Sequence, residues 1–514
     1  MYVSDHERDT QKYLSDGKDS SMKKSIFVVF GIAISLLLAS SNVVAQRISL
    51  ASINVTGSGG GNEPSHFPAI SADGRFVAFT SEASNLVPND NNGKTDVFVR
   101  DTATGTTMLV SASVTAESGN NDSSAFVLSA NGQFVAFSSN ASNLVLHDNN
   151  NAQDIFVKNL LTGTTLLVSV NTGGLGSANS VSFRPQISAD GRYVGFVSIA
   201  SDIVSNDTNG YIPDIFVRDM QTGTTELVSV DLSGGSSSTD SSSFALSANG
   251  RVVAFPSDAS DLVIGDGNRS TDVFVRNLDT ATTAAVSVNR RRRTGNGPSF
   301  TPTISVDGRF VAFWSAARDL TGNDTNTIGD VFVRDTLTAT TTLASVNRTG
   351  LSHNSVQGIW WAAISQNGRV VLFAAWDSDI VEDDTNNRLD IFARDLSTGS
   401  TKMVSAKVPR YGDLTLETTR FTKPVISNDG RFVVFSVGRG WDWYAQKNAY
   451  VRDLLTDSIT LINTNSGYSG VDNPAISGDG RLITFDAYAN DLLPNVGPGN
   501  VYVYDSISTA IVKN

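Results

Sequence analysis

The sequence predicts an all-β protein: an eight-bladed β-propeller of four-stranded antiparallel blades, with seven blades and one degenerate repeat as the alternative count. Three observations carry this expectation. A short turn signature recurs eight times at nearly constant spacing, every unit holds four strand signals, and the second strand of a unit is apolar on both faces.

The signature reads "SADG" at 71, "SANG" at 129, "SADG" at 188, "SANG" at 247, "SVDG" at 305, "SQNG" at 365, "SNDG" at 427 and "SGDG" at 477, with spacings of 58, 59, 59, 58, 60, 62 and 50 residues. A fixed period of this length marks a repeat architecture. With 514 residues the chain exceeds what one hydrophobic core can serve. The repeats take up residues 46–514, which leaves no room for a separate catalytic domain.

In the first unit the strand signals are "HFPAIS" (66–71), "RFVAFTS" (75–81), "DVFVRD" (96–101) and "TTMLVSAS" (106–113), rich in Val, Phe, Ile and Thr. The Asp-Gly or Asn-Gly pair between the first two supplies the left-handed conformations of a tight hairpin. "TATG" does the same between the third and fourth. In "RFVAF" Phe76, Val77, Ala78 and Phe79 are all apolar, so neither face suits water, whereas a half-solvated antiparallel sheet alternates. Sheets covered on both faces by like sheets close into a propeller; an open stack would need polar capping units. Closure has its own signal. "LASIN" (50–54) matches the fourth-strand segment "LVSVN" (167–171), so residues 48–55 are expected to join the last blade as an outer strand, beside or instead of residues 509–512.

"SADGRFVAF" followed by "DVFVRD" resembles the TolB-like β-propeller repeat of bacterial exported proteins, a WD40-like repeat, and the likeness runs over residues 47–514. It implies a periplasmic or secreted scaffold that binds proteins or other ligands. The long insertions between second and third strands depart from that shorter pattern.

Residues 22–45, "MKKSIFVVFGIAISLLLASSNVVA", read as a secretory signal peptide: a Lys pair, 14 residues of apolar core at 26–39, and small residues before Gln46. That core is shorter than the roughly 18 residues of a spanning helix, so no stable membrane insertion is expected, and Met22 is the expected start. Residues 1–45 then form an extension and leader, and 46–514 the propeller. The chain has no Cys, which removes disulfides and a lipid-attachment Cys. Its net charge of −13 argues against nucleic acid as a partner. A monomer is expected.

Candidate chemistry lies on the rim that carries the second-to-third and fourth-to-first connections. Six loops there hold Asp-x-Asn followed by another Asp: Asp90, Asn92 and Asp96; Asp148, Asn150 and Asp154; Asp207, Asn209 and Asp214; Asp266, Asn268 and Asp272; Asp324, Asn326 and Asp330; Asp384, Asn386 and Asp390. Hard oxygen ligands at alternating positions suit Ca²⁺, although Lys94, Ala152 and Arg388 stand where further acid would help. The competing reading makes the same side chains Asx-turns that start the third strand.

All six Trp residues fall in repeats five to seven. The seventh repeat replaces the acidic loop by "RGWDWYAQKN", with Arg439, Trp441, Trp443 and Tyr444, and Trp360 and Trp361 precede the first strand of repeat six. Flat aromatics beside Arg and Asp make a platform for a sugar or a peptide. Trp314 and Trp376 end second strands and are expected to pack in the core. The run Arg290 to Arg293 offers an acidic partner a contact or is a solvated loop.

Hydrolase chemistry finds little support. There is no Gly-x-Ser-x-Gly elbow, and His66, His147 and His353 fall in different repeats and are expected in loops. Two carboxylates suffice for a glycosidase, and the acidic rim holds many equivalent Asp. The expected function is therefore non-enzymatic binding of a protein or an envelope polysaccharide, with calcium stabilisation. A carbohydrate-active enzyme, glycosidase or lyase, that uses rim carboxylates is the alternative.

Overall fold

The computed structural model describes residues 48–353, 361–386, 388–408, 419–439, 447–463, 470–489 and 492–506. Arg47–Ile507 form one compact unit; Met1–Gln46 and Ser508–Asn514 fall in a second, outside the described residues. The first unit consists of eight antiparallel sheets that follow one another along the chain, seven of four strands and one of five. The eight-blade expectation holds.

Blade 1 shows the plan. Ser65–Ile70 is innermost, followed outward by Phe76–Ser81, Asp96–Asp101 and Thr106–Leu109. The fourth strand ends at Leu109 rather than at Ser113, because Ser111 turns its hydroxyl inward to hold the start of the third strand. In blade 7 the inner strand is split into Thr419–Phe421 and Val425–Ile426, both paired to Phe432–Arg439. Blade 8 takes its outer strand from the other end of the chain: Ile48–Leu50 pairs with Asn500–Asp505, with Ile48 opposite Tyr504 and Leu50 opposite Tyr502. Residues 509–512, the other candidate for that place, lie outside the described residues.

The second strand explains the ring. Val77, Ala78 and Phe79 are all fully buried, yet alternate residues face different neighbours. Val77 and Phe79 pack with Val501 and Val503 of blade 8, while Ala78 packs with Val135 and Phe137 of blade 2. Eight apolar clusters of this kind fill the eight gaps between blades. Within each blade the second and third strands stack two rings, as in Phe79 on Phe98 at 5.9 Å and Phe435 on Tyr450 at 5.8 Å. Burial of one such side chain is worth roughly 1.5–3 kcal/mol.

The recurring turn does three jobs. Gly74 N–H bonds the Ser71 carbonyl at 2.9 Å, but only Gly74 is left-handed (φ 76°), so the turn differs from the expected two-residue form. Asp73 instead takes the Ser71 hydroxyl at 2.5 Å and the Arg75 N–H at 3.0 Å. Arg75 then reaches Asp101 at the end of the third strand with both arms, and the same clamp joins Arg192 to Asp219, Arg309 to Asp335 and Arg431 to Asp453. Lastly, the turns bond one another around the axis. Ala72 N–H meets the Ala130 carbonyl at 3.1 Å, Ala189 that of Ala248 at 2.7 Å, Ala248 that of Val306 at 3.1 Å, and Gly478 returns to Ala72 at 2.9 Å.

Candidate functional site

The six Asp-x-Asn loops lie between second and third strands, on the rim opposite the turns. The Asp that opens the third strand is fully buried in each: Asp96, Asp154, Asp214, Asp272, Asp330 and Asp390. In blade 1, Asp96 accepts the Ser111 hydroxyl at 2.5 Å and the Asn92 amide at 2.7 Å, and Asn92 also donates to the Gly119 carbonyl at 2.7 Å. Asn209, Asn268 and Asn326 bridge their own Asp in the same way. The Asx-turn geometry is therefore present: Asn92 Oδ1 takes the Lys94 N–H at 2.7 Å.

Those bonds do not neutralise the charge. Burial drives the Asp96, Asp154, Asp214 and Asp272 carboxyls up to about 7 and Asp330 up to about 6, against the pull of their hydroxyl partners. The first Asp of each loop adds a second negative charge: Asp90 raises Asp96, and Asp148 raises Asp154.

Blade 5 differs. His353, fully buried, stands 3.3 Å from Asp330 Oδ1 and is paired with Asp377 at its other nitrogen. Burial works against the imidazolium, but Asp377 and Asp330 together raise its pKa above the ordinary value. His353 follows Ser352 where Gly119, Ala178, Ser237 and Gly295 follow Ser118, Ser177, Ser236 and Thr294. It lies in a loop, as expected, but is buried there by these contacts.

The central channel is lined by the innermost strands. Each has its bulge near the loop rim, where two residues oppose one, in blades 1, 2, 3, 5 and 8. The first bulged residue is left-handed although none is Gly: Phe67, Ala125, Arg184, Thr301 and Asn473, with φ of 53°, 39°, 54°, 50° and 48°. Pro follows in four of them, which costs no ladder bond on an edge strand. Such strain persists only where the surroundings impose it. In blade 1 it exposes an aromatic to the channel: Phe67 is 62% exposed. Between blades 7, 8, 1 and 2 a cavity of about 620 Å³ is lined by Phe67, Pro68, Phe126, Val425, Pro474 and Lys423, among others. The crowding of inner strands around Lys423 lowers its pKa.

At the mouth of that cavity ring closure assembles a group that sequence reasoning missed. His66 sits in a strand, not a loop, and its Nδ1 lies 3.3 Å from Asp486 Oδ2 of blade 8. The Tyr488 hydroxyl lies 3.3 Å from His66 Nε2, and Asn473 donates to both oxygens of Asp486 at 3.2 and 3.1 Å. His66 and Asp486 are 420 residues apart in sequence, so only the predicted closure of blade 8 on blade 1 could have paired them.

Of the aromatic platform, Trp361 is half-buried against the core between blades 6 and 7, and Arg439 ends the strand Phe432–Arg439. Trp360, Trp441, Trp443 and Tyr444 lie outside the described residues. Trp314 packs on Phe300 with ring centres 5.8 Å apart, and Trp376 is half-buried. Arg290 to Arg293 are all exposed. Among the described residues, no three His, Cys, Asp or Glu side chains gather as a metal-holding group, and no helix is long and apolar enough to cross a membrane.

No protein-family model matches the chain, and no curated protein does. Solved structures similar to it include a prolyl endopeptidase (11% identity, TM-score 0.48, over 92% of this chain and 60% of that one), so the chain spans well under two thirds of that protein. Others are an oligogalacturonate lyase in complex with manganese (10%, TM-score 0.43, over 89% and 96%) and TolB from Acinetobacter baumannii (14%, TM-score 0.33, over 74% and 78%). The fold assignment stands on the blade topology itself.

Proposed function

We propose that this chain is an exported, TolB-like binding scaffold that grips an extended ligand, a protein segment or an envelope polysaccharide, at the loop rim and channel mouth. The observation that carries the reading is Phe67, an aromatic side chain held out into the channel on a left-handed backbone, above a cavity lined by four blades. Rigid blades with variable loops suit such a role. The export reading rests on residues 22–45, and the TolB-like reading on the repeated "SADGRFVAF" and "DVFVRD". The sequence adds Trp360, Trp441, Trp443 and Tyr444, with Arg439, as candidate ligand contacts on the loop rim, whereas Trp361 packs against the core.

The test is capture from the native envelope together with a glycan array, using the parent, Phe67→Ala and the double variant Trp441→Ala/Trp443→Ala. Loss of a captured ligand in either variant, with the fold intact by circular dichroism, supports the reading. Equal capture by all three overturns it.

A second reading, a carbohydrate-active enzyme, is favoured by one observation: the Tyr488, His66 and Asp486 chain, in which a carboxylate orients an imidazole that faces a partly exposed hydroxyl. Turnover of a polysaccharide by the pure protein, abolished by His66→Asn, would establish it.

A further inference from the structure

The eight blades act as controls for one another. Six begin the third strand with Asp; blade 8 begins it with Asn500, and blade 7, whose strand starts one residue earlier at Lys447, has Asn448 at the equivalent position. The amides keep the local bonding: the Ser52 hydroxyl donates to Asn500 Oδ1 at 2.7 Å, and Asn463 donates to Asn448 Oδ1 at 2.8 Å. A charge is therefore not needed to start the strand. The six blades that carry it are the same six that carry Asp-x-Asn in the loop, and the two without it have no such loop. Two buried carboxylates side by side cost free energy unless something positive lies between them.

Blade 2 shows the unmet need most plainly. Asp148 is only 7% exposed, and neither of its oxygens makes a hydrogen bond. Asp154 Oδ2 makes none either, and Asn150 gives its amide to the Ala178 carbonyl at 2.7 Å without reaching it. In blades 1 and 6, Asp90 Oδ1 and Asp384 Oδ2 are likewise buried without a partner, and both oxygens of Asp207 lack one in blade 3. In blade 5 the fold supplies a partner itself, as the His353 imidazole, its pKa raised by Asp377 and Asp330 against burial, reaches Asp330.

We propose that the loop of blade 2, through Asp148 and Asp154, binds Ca²⁺, and that the loops of blades 1, 3, 4 and 6 repeat this site while His353 takes its place in blade 5. The donors fit the ion. Beside the two carboxylates stands a hydroxyl, Ser177 in blade 2 and Ser118 in blade 1, a hard oxygen of the kind Ca²⁺ accepts. The chain has no Cys, and His147, the one imidazole in these five loops, is exposed beside Asp148, so the buried donors are oxygens, which argues against zinc and copper. With two carboxylates per site the affinity belongs to the weak extracellular class, a dissociation constant on the order of 10⁻⁴ to 10⁻³ M. This inference is independent of which ligand the channel mouth takes.

The experiment compares the full-length mature protein in millimolar Ca²⁺, millimolar Mg²⁺ and chelator at pH 7.5, and counts bound Ca²⁺ by equilibrium dialysis. Expected are a thermal midpoint several degrees higher in Ca²⁺ than in chelator, a smaller rise in Mg²⁺, and about five ions per chain. Asp148→Asn/Asp154→Asn should bind one ion fewer and, because amides serve at Asn448 and Asn500, be no less stable than the parent in chelator. Equal midpoints in Ca²⁺ and chelator overturn the proposal. So does a bound count that the double variant leaves unchanged. A midpoint indifferent to Ca²⁺ that rises on mild acidification would show instead that each pair shares a proton.

Discussion

Ser52 Oγ donates to Asn500 Oδ1 at 2.7 Å across 448 residues of chain, and the Val501 N–H returns a bond to the same hydroxyl at 3.0 Å. This exchange fastens the start of the propeller to its end. The strand Ile48–Leu50 beside it covers the outer edge of Asn500–Asp505, which would otherwise be an unpaired edge open to other chains.

Two truncations test that fastening. Removal of residues 1–46 should leave the thermal midpoint unchanged, whereas removal of 1–54 strips the outer strand of blade 8 and should lower it markedly and promote aggregation. Differential scanning calorimetry and light scattering read both effects; equal midpoints for the two truncations would show that closure contributes nothing.

Glycine in the repeated turn is needed twice over. Gly191 has φ 80°, and a Cβ there would fall 2.1 Å from Phe134 Cδ2 of the preceding blade. Gly191→Ala should cost about 2–4 kcal/mol, the sum of left-handed strain and overpacking. Chemical denaturation would check this, with Gly234→Ala as the comparison, since that left-handed Gly meets open space and should cost only the strain.

The Arg75 to Asp101 clamp sets an acid limit. The Arg75 guanidinium beside it holds the Asp101 carboxyl down at about 2, and Arg192 does the same for Asp219. A folded pKa below the unfolded one adds stability above the unfolded value and loses it as pH falls toward the folded one. The midpoint difference between the parent and Arg75→Gln should therefore be full at pH 5 and vanish near pH 2. A constant difference across that range would mean that Arg75 acts through packing on Phe76, over which it lies at 4.8 Å.

His353 and Asp377 replace the contact that Gly295 and Ala317 make one blade earlier. His353→Gly leaves the Asp377 and Asp330 carboxylates buried without their shared imidazole partner and should cost about 3–5 kcal/mol. His353→Gly/Asp377→Ala reproduces the Gly295 and Ala317 pair of the preceding blade and should recover much of that loss. A double-mutant cycle by denaturant titration measures the coupling; additive effects would mean that the pair is not a unit.

How much was legible follows from how often a feature is repeated. Blade number, strand order and closure by the segment that starts at residue 48 could be read, though the strand runs only to Leu50 and not to residue 55, because eight copies of one pattern leave few arrangements for Val77, Ala78 and Phe79 to be buried on both sides. The six loops were found for the same reason, but which Asp lacked a partner was not, since that depends on whether Asn150 or Asn92 turns its amide to the carboxylate. His66, Asp486 and Tyr488 were hidden because they belong to blades at opposite ends of the sequence. The bulges at Phe67 and Thr301 were hidden too, because an edge strand tolerates a left-handed non-Gly residue without any local sign beyond the Pro that follows.

The belt that joins the turns, from Ala72 through Ala130 and on to Gly478 and back, has a consequence for how such a molecule can change over generations. A circle of donors and acceptors has no loose member at which a copy could be added or dropped, and every neighbour must alter its tilt together. Loops on the far rim are free to drift one at a time, as "RGWDWYAQKN" has done, while the number of units is locked by its most modest residues.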